Sequence, residues 1–205
     1  ALGPLARLGT VFNPYHRYLL AAERRLFESP RLRAVVCNSR MVRDEIKRHF
    51  ALPDEKLHVI YSGVDTTVYR PDLKRERAAV RASLGLVSAA PLFLFVGSGF
   101  ERKGLATALR AVAQLPAAQL LVIGRDRRAA CYQTLAQKLG LGERVQFLGA
   151  IADVKPYYGA ADALVLPTLY DPFPNVALEA MACGLPVVTS TTSGAAELIA
   201  NDHNG

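Results

Sequence analysis

The sequence has few cysteines, and they are too far apart to form a metal site or a disulfide framework. Only three of its 205 residues are cysteine, at Cys37, Cys131 and Cys183. Metal-binding cysteines usually come in closely spaced pairs, and an odd number leaves no closed set of disulfides. We therefore expect reduced, structural thiols, which are typical of cytosolic proteins.

Other signatures are missing as well. The sequence has no Asp-x-Asp pattern and no cluster of His and Cys, so no metal ion is predicted. No apolar run is long enough to cross a bilayer as a helix. Residues 1–4 (ALGP) contain neither an initiator methionine nor the start of a signal peptide, and residues 201–205 are turn-like. These features favour a fragment of a longer protein.

The composition is that of a globular protein with an excess of positive charge. Apolar residues make up 51% of the chain, enough for at least one full core, and the length allows one domain plus part of another. The formal net charge is +7. Such a charge favours an anionic partner, which on this criterion alone is a nucleotide, a nucleic acid or a membrane surface.

The first 65 residues contain two predicted helices and two predicted strands. Residues 13–29 have the apolar spacing of an amphipathic helix, and residues 33–37 predict a short buried strand. Asn38 or Ser39 is expected to cap a second helix that runs to about Phe50. A second strand is predicted at residues 57–61.

The first predicted helix has one apolar side and several arginines. An ordinary surface helix explains this pattern, and contact with an anionic membrane is the alternative. The apolar side contains Tyr18, Leu19, Ala22, Leu26 and Phe27, and the basic residues are Arg17, Arg24 and Arg25.

Residues 66–90 are predicted to be a linker and a first helix, and a regular pattern starts at residue 91. Residues 66–72 lack periodicity and include a proline. Continuous apolar strands then alternate with helices. This alternation predicts an α/β fold with a parallel sheet covered by helices on both faces. Ligands of such sheets bind beyond the carboxyl ends of the strands. The predicted strands are 92–96, 119–123, 145–148 and 163–166, and the helices are about 105–115, 129–139 and 154–161.

The loop after the first of these strands has the composition of an anion site. Gly97 and Gly99 remove side chains from it, and Arg102 and Lys103 lie next to a predicted helix N-terminus. Two cations there oppose the helix dipole unless an anion is bound. The loop fails the dinucleotide fingerprint because its sixth position is Arg102, and it fails the P-loop pattern because Leu105 follows the last glycine.

A second predicted anion site lies in residues 170–189, which predict a loop, a helix and a strand. Pro174 suits the first helical position, and Gly184 ends the helix. Free N–H groups at the helix start attract phosphate, while Asp171 and Glu179 can accept bonds from sugar hydroxyls. Alternatively, Asp171 only favours the helix dipole and Glu179 lies on a solvated face. Because Glu179 is surrounded by small and apolar residues, we favour a nucleotide-sugar site.

The two carboxylates, separated by seven residues, resemble the acidic signature of retaining glycosyltransferases with the GT-B fold, in the glycogen-synthase-like family (family 4 type). The usual first residue of that signature is Glu, and glycine usually follows it, where this chain has Asp171 and Pro172. The resemblance covers nearly the whole chain. The stretch Phe-Val-Gly-Ser-x-Phe-x-Arg-Lys-Gly most resembles the lipopolysaccharide core glucosyltransferases.

This resemblance implies a role for each candidate site residue. Asp171 would contact the transferred sugar, Glu179 the ribose, and Gly149 would lie in the base-binding loop. The diphosphate would be bound by Gly97, Gly99, Arg102, Lys103 and the helix start at Pro174, Asn175 and Val176; the catalytic set is Asp171, Arg102 and Lys103.

The resemblance also implies the domains, substrates and location. Residues 1–65 would be the end of an acceptor-side Rossmann-like domain, and 91–205 a donor-binding domain truncated at its end. The reaction would transfer a hexose, from UDP-glucose, to a glycan or lipid-linked sugar such as the lipopolysaccharide core. No cofactor and no nucleic acid are expected. The enzyme would be cytoplasmic, with peripheral contact to the inner face of the membrane as an option.

Three other functions are compatible with these residues. The fragment can be a non-catalytic module that binds a nucleotide sugar. GT-B enzymes catalyse transfer in the cleft between two domains, and this chain would contain only part of the first. A GT-B epimerase of nucleotide sugars would differ by forming product without an acceptor. An NADP-dependent oxidoreductase would need a glycine at the sixth position of the loop that starts at Gly97, where this chain has Arg102.

Overall fold

The computed structural model describes residues 13–86 and 89–205. The chain divides into two compact units, one ending at Ile60 and the other comprising Tyr61–Gly205. The predicted division into parts of two domains stays a prediction, because it refers to a longer protein. None of the helices in the described residues has both the length and the apolarity that a membrane span requires.

The first unit is a two-stranded parallel sheet packed with helices. Its small core contains Cys37, Leu52 and Leu57. Asn13 caps the first helix through its side chain, which accepts from the N–H of Tyr15. The elements are α1 (Pro14–Phe27), β1 (Val35–Cys37), α2 (Arg40–Phe50) and β2 (Leu57–Val59).

Several expectations for this unit are corrected by the structure. The strand predicted at 33–37 is shorter and only partly buried: Cys37 is buried, but Val36 is 64% exposed. The cause is that the strand packs through one face only. The strand predicted at 57–61 ends at Val59. The cap of the second helix, by contrast, is one of the two predicted residues, because the hydroxyl of Ser39 accepts from the N–H of Val42.

The second unit is a five-stranded sheet in which every pair of neighbours is parallel, with the order β5-β4-β3-β6-β7. In chain order, the first helix of this unit precedes its first strand, and each of the others lies between two successive strands. The strands are β3 (Leu92–Val96), β4 (Gln119–Ile123), β5 (Val145–Gly149), β6 (Ala163–Leu166) and β7 (Val187–Thr189). The helices are α3 (Arg77–Ser83), α4 (Leu105–Ala113), α5 (Ala129–Lys138), α6 (Lys155–Ala160) and α7 (Asn175–Ala182).

The sheet separates two hydrophobic clusters, one on each face. Side chains of β3 alternate between them: Leu92 and Leu94 pack in one cluster, and Phe95 in the other. Successive residues of a strand point to opposite faces, so a strand buried on both faces needs a continuous apolar run. The predicted α/β fold, with a parallel sheet covered on both faces, is confirmed.

The strand order changes direction between β3 and β6. The chain moves from β3 outwards through β4 and β5, and then returns to place β6 on the other side of β3. Ligands of open α/β sheets bind at such a switch point, beyond the carboxyl ends of the strands. The loops after β3 and β6 are therefore expected to form a ligand site.

Candidate active site

The loop after β3 approaches the end of β6 closely, and this approach requires glycine at one position. Gly104 has φ +78°, and a Cβ there would lie 1.8 Å from the carbonyl oxygen of Pro167. The carbonyl of Arg102 accepts from the N–H of Leu169 at 2.8 Å and from the hydroxyl of Thr168 at 2.8 Å. The two loops at the switch point are thus bonded to each other.

The same loop is also held from its other side, by the loop after β4. The carboxylate of Asp126 accepts from the N–H of Phe100 at 2.7 Å and from the N–H of Arg128 at 2.7 Å. Gly124 packs so closely that a Cβ would lie 2.1 Å from the carbonyl oxygen of Gly97. Backbone contacts on both sides therefore fix the shape of residues 97–104.

Asp171, in the loop after β6, is fixed through its backbone. Its N–H donates to the carbonyl of Thr192 at 3.1 Å, and its own carbonyl accepts from the N–H of Gly194 at 2.9 Å. Asp171 and Ser193 form an isolated parallel β-bridge. The loop after β7 thus positions this carboxylate.

The structure brings the predicted Asp171, Arg102 and Lys103 together in one cluster. The ammonium of Lys103 donates to Oδ2 of Asp171, and Nη1 of Arg102 lies 3.3 Å from the same oxygen. Lys103 and Asp171 are 9% and 5% exposed, so their ion pair is nearly excluded from water. Arg102 is exposed and also donates to the carbonyl of Tyr170 at 3.1 Å.

Helix α7 begins one residue later than predicted. Pro174 is the N-cap with an extended backbone, φ −75° and ψ 111°, and Asn175 is the first helical residue. Among the described residues no side chain caps this helix. The first N–H groups of a helix lack the usual partner one turn before them, and in α7 these groups directly follow the loop that carries Asp171. Asn175 is exposed and Val176 is half-buried.

Glu179 is half-buried and accepts from the hydroxyl of Tyr158 through Oε2 at 2.6 Å. Burial raises the pKa of the Tyr158 phenol far above its usual range, and the hydrogen bond to Glu179 raises it further. The tyrosine therefore remains a donor that holds the carboxylate. Burial raises the pKa of Tyr69 too, with the charge of Glu179 as a smaller cause.

The remaining predicted site residues lie along the same edge of the sheet. Gly149 ends β5, is exposed, has φ +72°, and its carbonyl accepts from the N–H of Gly124 at 2.8 Å. Gly97 and Gly99 follow β3. Gly149 ends a strand two positions from β3, whereas Arg102 and Lys103 follow β3 and Asp171 follows β6.

Some residues at this edge were not predicted from the sequence. Tyr158 was missed because its partner Glu179 is distant in the chain. The loop after β7 was missed as well: Thr192 donates to the carbonyl of Thr168 at 2.9 Å, and the buried hydroxyl of Ser193 has no partner among the described residues. The hydroxyl-rich run Ser190-Thr191-Thr192-Ser193 was the available signal.

The described residues contain no group of three or more His, Cys, Asp or Glu side chains arranged to hold a metal ion. The described cysteines are free; Cys37 and Cys183 are buried, and Cys131 is exposed. Burial raises the pKa of the Cys183 thiol to about 11.

Comparison with known protein families gives two matches along the chain. Residues 76–205 match the family described as glycosyl transferases group 1. Residues 3–68 match the family described as glycosyltransferase family 4.

Two curated relatives cover most of this chain. The uncharacterized glycosyltransferase MJ1607 of Methanocaldococcus jannaschii is 33% identical over 83% of this chain and 45% of its own length. The lipopolysaccharide glucosyltransferase WaaG of Escherichia coli strain K12 is 30% identical over 93% of this chain and 52% of its own length. The chain spans about half the length of these relatives.

Two solved structures resemble this one closely. The crystal structure of WaaG, a glycosyltransferase involved in lipopolysaccharide biosynthesis, superimposes with a TM-score of 0.84 at 29% identity, covering 96% of this chain and 54% of that one. Anabaena HepE, crystallised in complex with UDP-glucose, gives a TM-score of 0.75 at 28% identity, covering 84% and 49%.

Proposed function

This chain belongs to the family of group 1 glycosyl transferases, and from that premise we propose that it is the donor-binding part of a retaining hexosyltransferase. The proposed donor is UDP-glucose, and the proposed acceptor is a sugar hydroxyl of a glycan or of the lipopolysaccharide core. The bond from the anomeric carbon to the diphosphate breaks, the acceptor oxygen forms the new bond, and the acceptor proton is released.

The cation cluster at the switch point is the observation that carries this proposal. Arg102 and Lys103 lie at the carboxyl edge of the sheet, and α7 starts beside the loop that carries Asp171. Two cations and a helix N-terminus together suit a diphosphate. Groups held in place before the reaction stabilise the charge that develops on the leaving diphosphate, and binding brings donor and acceptor together.

The other residues are assigned around this diphosphate position. We assign the ribose to Glu179, whose carboxylate is already oriented by Tyr158. The base is assigned to the loop after Gly149, and the transferred sugar to the surroundings of Asp171. No metal or cofactor has a role in this proposal. The HepE complex with UDP-glucose supports the choice of donor.

We further propose a cytoplasmic location with peripheral attachment to an anionic membrane through α1. The described residues of this helix include none that is buried. Tyr15, Tyr18 and Leu20 are all more than half exposed, and Arg24 and Arg25 lie in its last turn. Exposed aromatic and aliphatic side chains beside arginines are what an interfacial helix uses.

Calorimetric titration of the chain with UDP, UDP-glucose, GDP and NADPH tests the donor assignment. We expect the uridine compounds to bind, and Lys103→Ala and Glu179→Ala to weaken them. Lys138→Ala and Glu143→Ala, at exposed positions of the same unit, are matched controls. Uridine nucleotide binding that neither site substitution weakens would contradict the proposed site. Binding of NADPH alone would favour the alternative function as an oxidoreductase.

A binding module without turnover and a GT-B epimerase are the two remaining candidates. They are separated from a transferase by product analysis on the longer protein. Formation of an epimerised nucleotide sugar without any acceptor would identify the epimerase. Hexose transfer that depends on an added acceptor would identify the transferase.

A further inference from the structure

We infer that Asp171 is a positioning residue for Lys103, so that its carboxylate influences nucleotide binding through the lysine ammonium. The inference rests on the proposed function, because it assumes that Lys103 meets the donor diphosphate. It assigns to Asp171 an effect on the nucleotide itself, in addition to any contact with the sugar. UDP, which carries no sugar, is therefore the informative probe.

The ion pair is built from two side chains that are both almost completely buried. Oδ2 of Asp171 accepts from the Lys103 ammonium, and the two residues are 5% and 9% exposed. Arg102 reaches the same oxygen at 3.3 Å, but its side chain is 50% exposed. A buried ammonium without a partner is strongly unfavourable. Asp171 therefore stabilises the charge of the buried Lys103, whereas the half-exposed guanidinium of Arg102 is solvated by water.

Both ends of the pair are fixed by the fold. The backbone of Asp171 is bonded to Thr192 and Gly194, which leaves the carboxylate little freedom. The N–H of Lys103 donates to the carbonyl of Gly99 at 3.1 Å. The lysine side chain runs past Gly97, where an added Cβ would lie only 3.2 Å from Cε of Lys103. Little room is left for the ammonium to move.

A lysine that the fold already holds in place binds a ligand with a smaller loss of entropy than a flexible lysine does. A lysine side chain loses much of its rotamer freedom when it becomes ordered, and this loss opposes ligand binding. When the ordering is done by folding, it no longer opposes ligand binding. Asp171 is also one methylene shorter than the glutamate usual in the resembling family, so its carboxylate stays close to the fixed backbone.

Simple charge repulsion predicts the opposite effect from positioning. If Asp171 acted only as a negative charge near the diphosphate, its removal would tighten UDP binding. If it contacted only the transferred sugar, its removal would leave UDP binding unchanged. Positioning of Lys103 predicts weaker UDP binding, and, unlike an effect of Asp171 through Arg102, it predicts that this weakening vanishes when Lys103 is absent.

The test is a double-mutant cycle on the full chain, with UDP affinity as the readout. The variants are Asp171→Ala, Lys103→Ala and the double variant. We expect each single variant to weaken UDP binding about tenfold or more, the scale of a lost charged hydrogen bond. The double variant should bind no more weakly than the weaker single variant. Asp171→Glu should restore most of the affinity, because it keeps the charge.

Controls separate this result from a folding defect. Asp171→Asn keeps the side-chain volume and should weaken UDP binding even where Asp171→Ala fails to fold. Asp54→Ala and Lys47→Ala break an exposed Asp–Lys pair in the first unit, with Nζ to Oδ1 at 2.6 Å, and should leave UDP binding unchanged. Thermal unfolding of every variant identifies those that have lost their structure.

The possible results are distinct. Unchanged or tighter UDP binding in the folded Asp171 variants would overturn the inference, and so would additive effects in the cycle. Either result leaves the donor-site proposal standing, provided that the wild-type chain binds UDP and Lys103→Ala weakens it. A wild-type chain that binds no nucleoside diphosphate would overturn both proposals together.

Discussion

At the scale of single residues, the site depends on polar groups held by partners that are far away in sequence. Tyr158 is fully buried, and its hydroxyl donates to the carboxylate of Glu179 at 2.6 Å. Tyr158 is in α6 and Glu179 in α7, so the bond also joins two helices on one face of the sheet.

Tyr158→Phe should lower both stability and nucleotide affinity. Removing the hydroxyl deletes one hydrogen bond to a carboxylate, and bonds of this kind contribute about 1.5–3 kcal/mol. The freed Glu179 would then be less well oriented for a ribose. Urea unfolding measures the first effect and UDP titration the second. Tyr157→Phe, at a half-buried neighbour, is the control; equal losses in both variants would contradict the assigned role of Tyr158.

At the scale of elements, the edge of the sheet opposite the site is fixed by a buried arginine. Arg81, in α3, is 2% exposed. It donates to the carbonyls of Ala160 and Ala90 at 3.0 and 2.9 Å, and to Oδ2 of Asp162 at 2.8 Å. Asp162 also accepts from the N–H of Leu92 at 2.8 Å. The helix is thereby bonded to the starts of β3 and β6.

Asp162→Asn should destabilise the second unit at neutral pH. Breaking a buried pair by removing one partner costs about 3–5 kcal/mol, and because Asp162 is 40% exposed we expect roughly half of that. Urea unfolding at pH 7 measures the difference. Asp153→Asn, which alters an exposed pair with Lys155 at 3.4 Å, is the control and should change little.

The same carboxylate predicts how this difference depends on pH. Burial alone would raise the pKa of Asp162, but three donors outweigh it, so the pKa is lowered. These donors are the N–H of Leu92, Arg81, and Arg77, which donates to Oδ1 of Asp162 at 2.6 Å. The stabilisation is then present above the unfolded-state pKa of about 3.9 and is lost as the pH falls through the lower folded-state value. As the pH falls below about 4, the difference in stability between the wild type and Asp162→Asn should therefore begin to shrink, and it should vanish only below the folded-state pKa of Asp162. A difference that does not shrink as the pH falls below about 4 would contradict the ion-pair explanation.

The elements also show what could be predicted from sequence. The strands at 92–96 and 119–123 were predicted correctly because burial on both faces requires continuous apolar runs. The strand at 33–37 has a similar composition, yet it packs through one face only, and no local pattern reveals that. Arg102, Lys103 and Asp171 were found as separate anion-site features. The ion pair of Lys103 with Asp171 was not predicted, because it depends on a tertiary contact between residues that are 68 positions apart in the chain.

At the scale of the whole molecule, the chain carries a net charge of +7 and spans about half of its curated relatives. Part of this charge serves the proposed diphosphate site. Another part lies on α1, where arginines accompany exposed apolar residues. The two features concern different anionic partners, so they can be tested separately.

Co-sedimentation with liposomes tests the proposed membrane contact. The wild-type chain should sediment with vesicles rich in anionic lipid at low salt, and less so as salt is raised. Arg24→Ala with Arg25→Ala should reduce binding, because each basic residue near an anionic surface contributes about 1 kcal/mol. Arg110→Ala with Lys138→Ala, at exposed positions of the second unit, is the matched control. An equal loss in both double variants would indicate attraction by net charge alone.

The most direct measurement for the central claim is an experimental structure of this chain with UDP-glucose bound. We predict that the diphosphate lies within hydrogen-bonding distance of the Lys103 ammonium and of the first N–H groups of α7, with the ribose on Glu179. A nucleotide bound elsewhere on the chain, or at this edge but out of reach of Lys103 and α7, would contradict the claim.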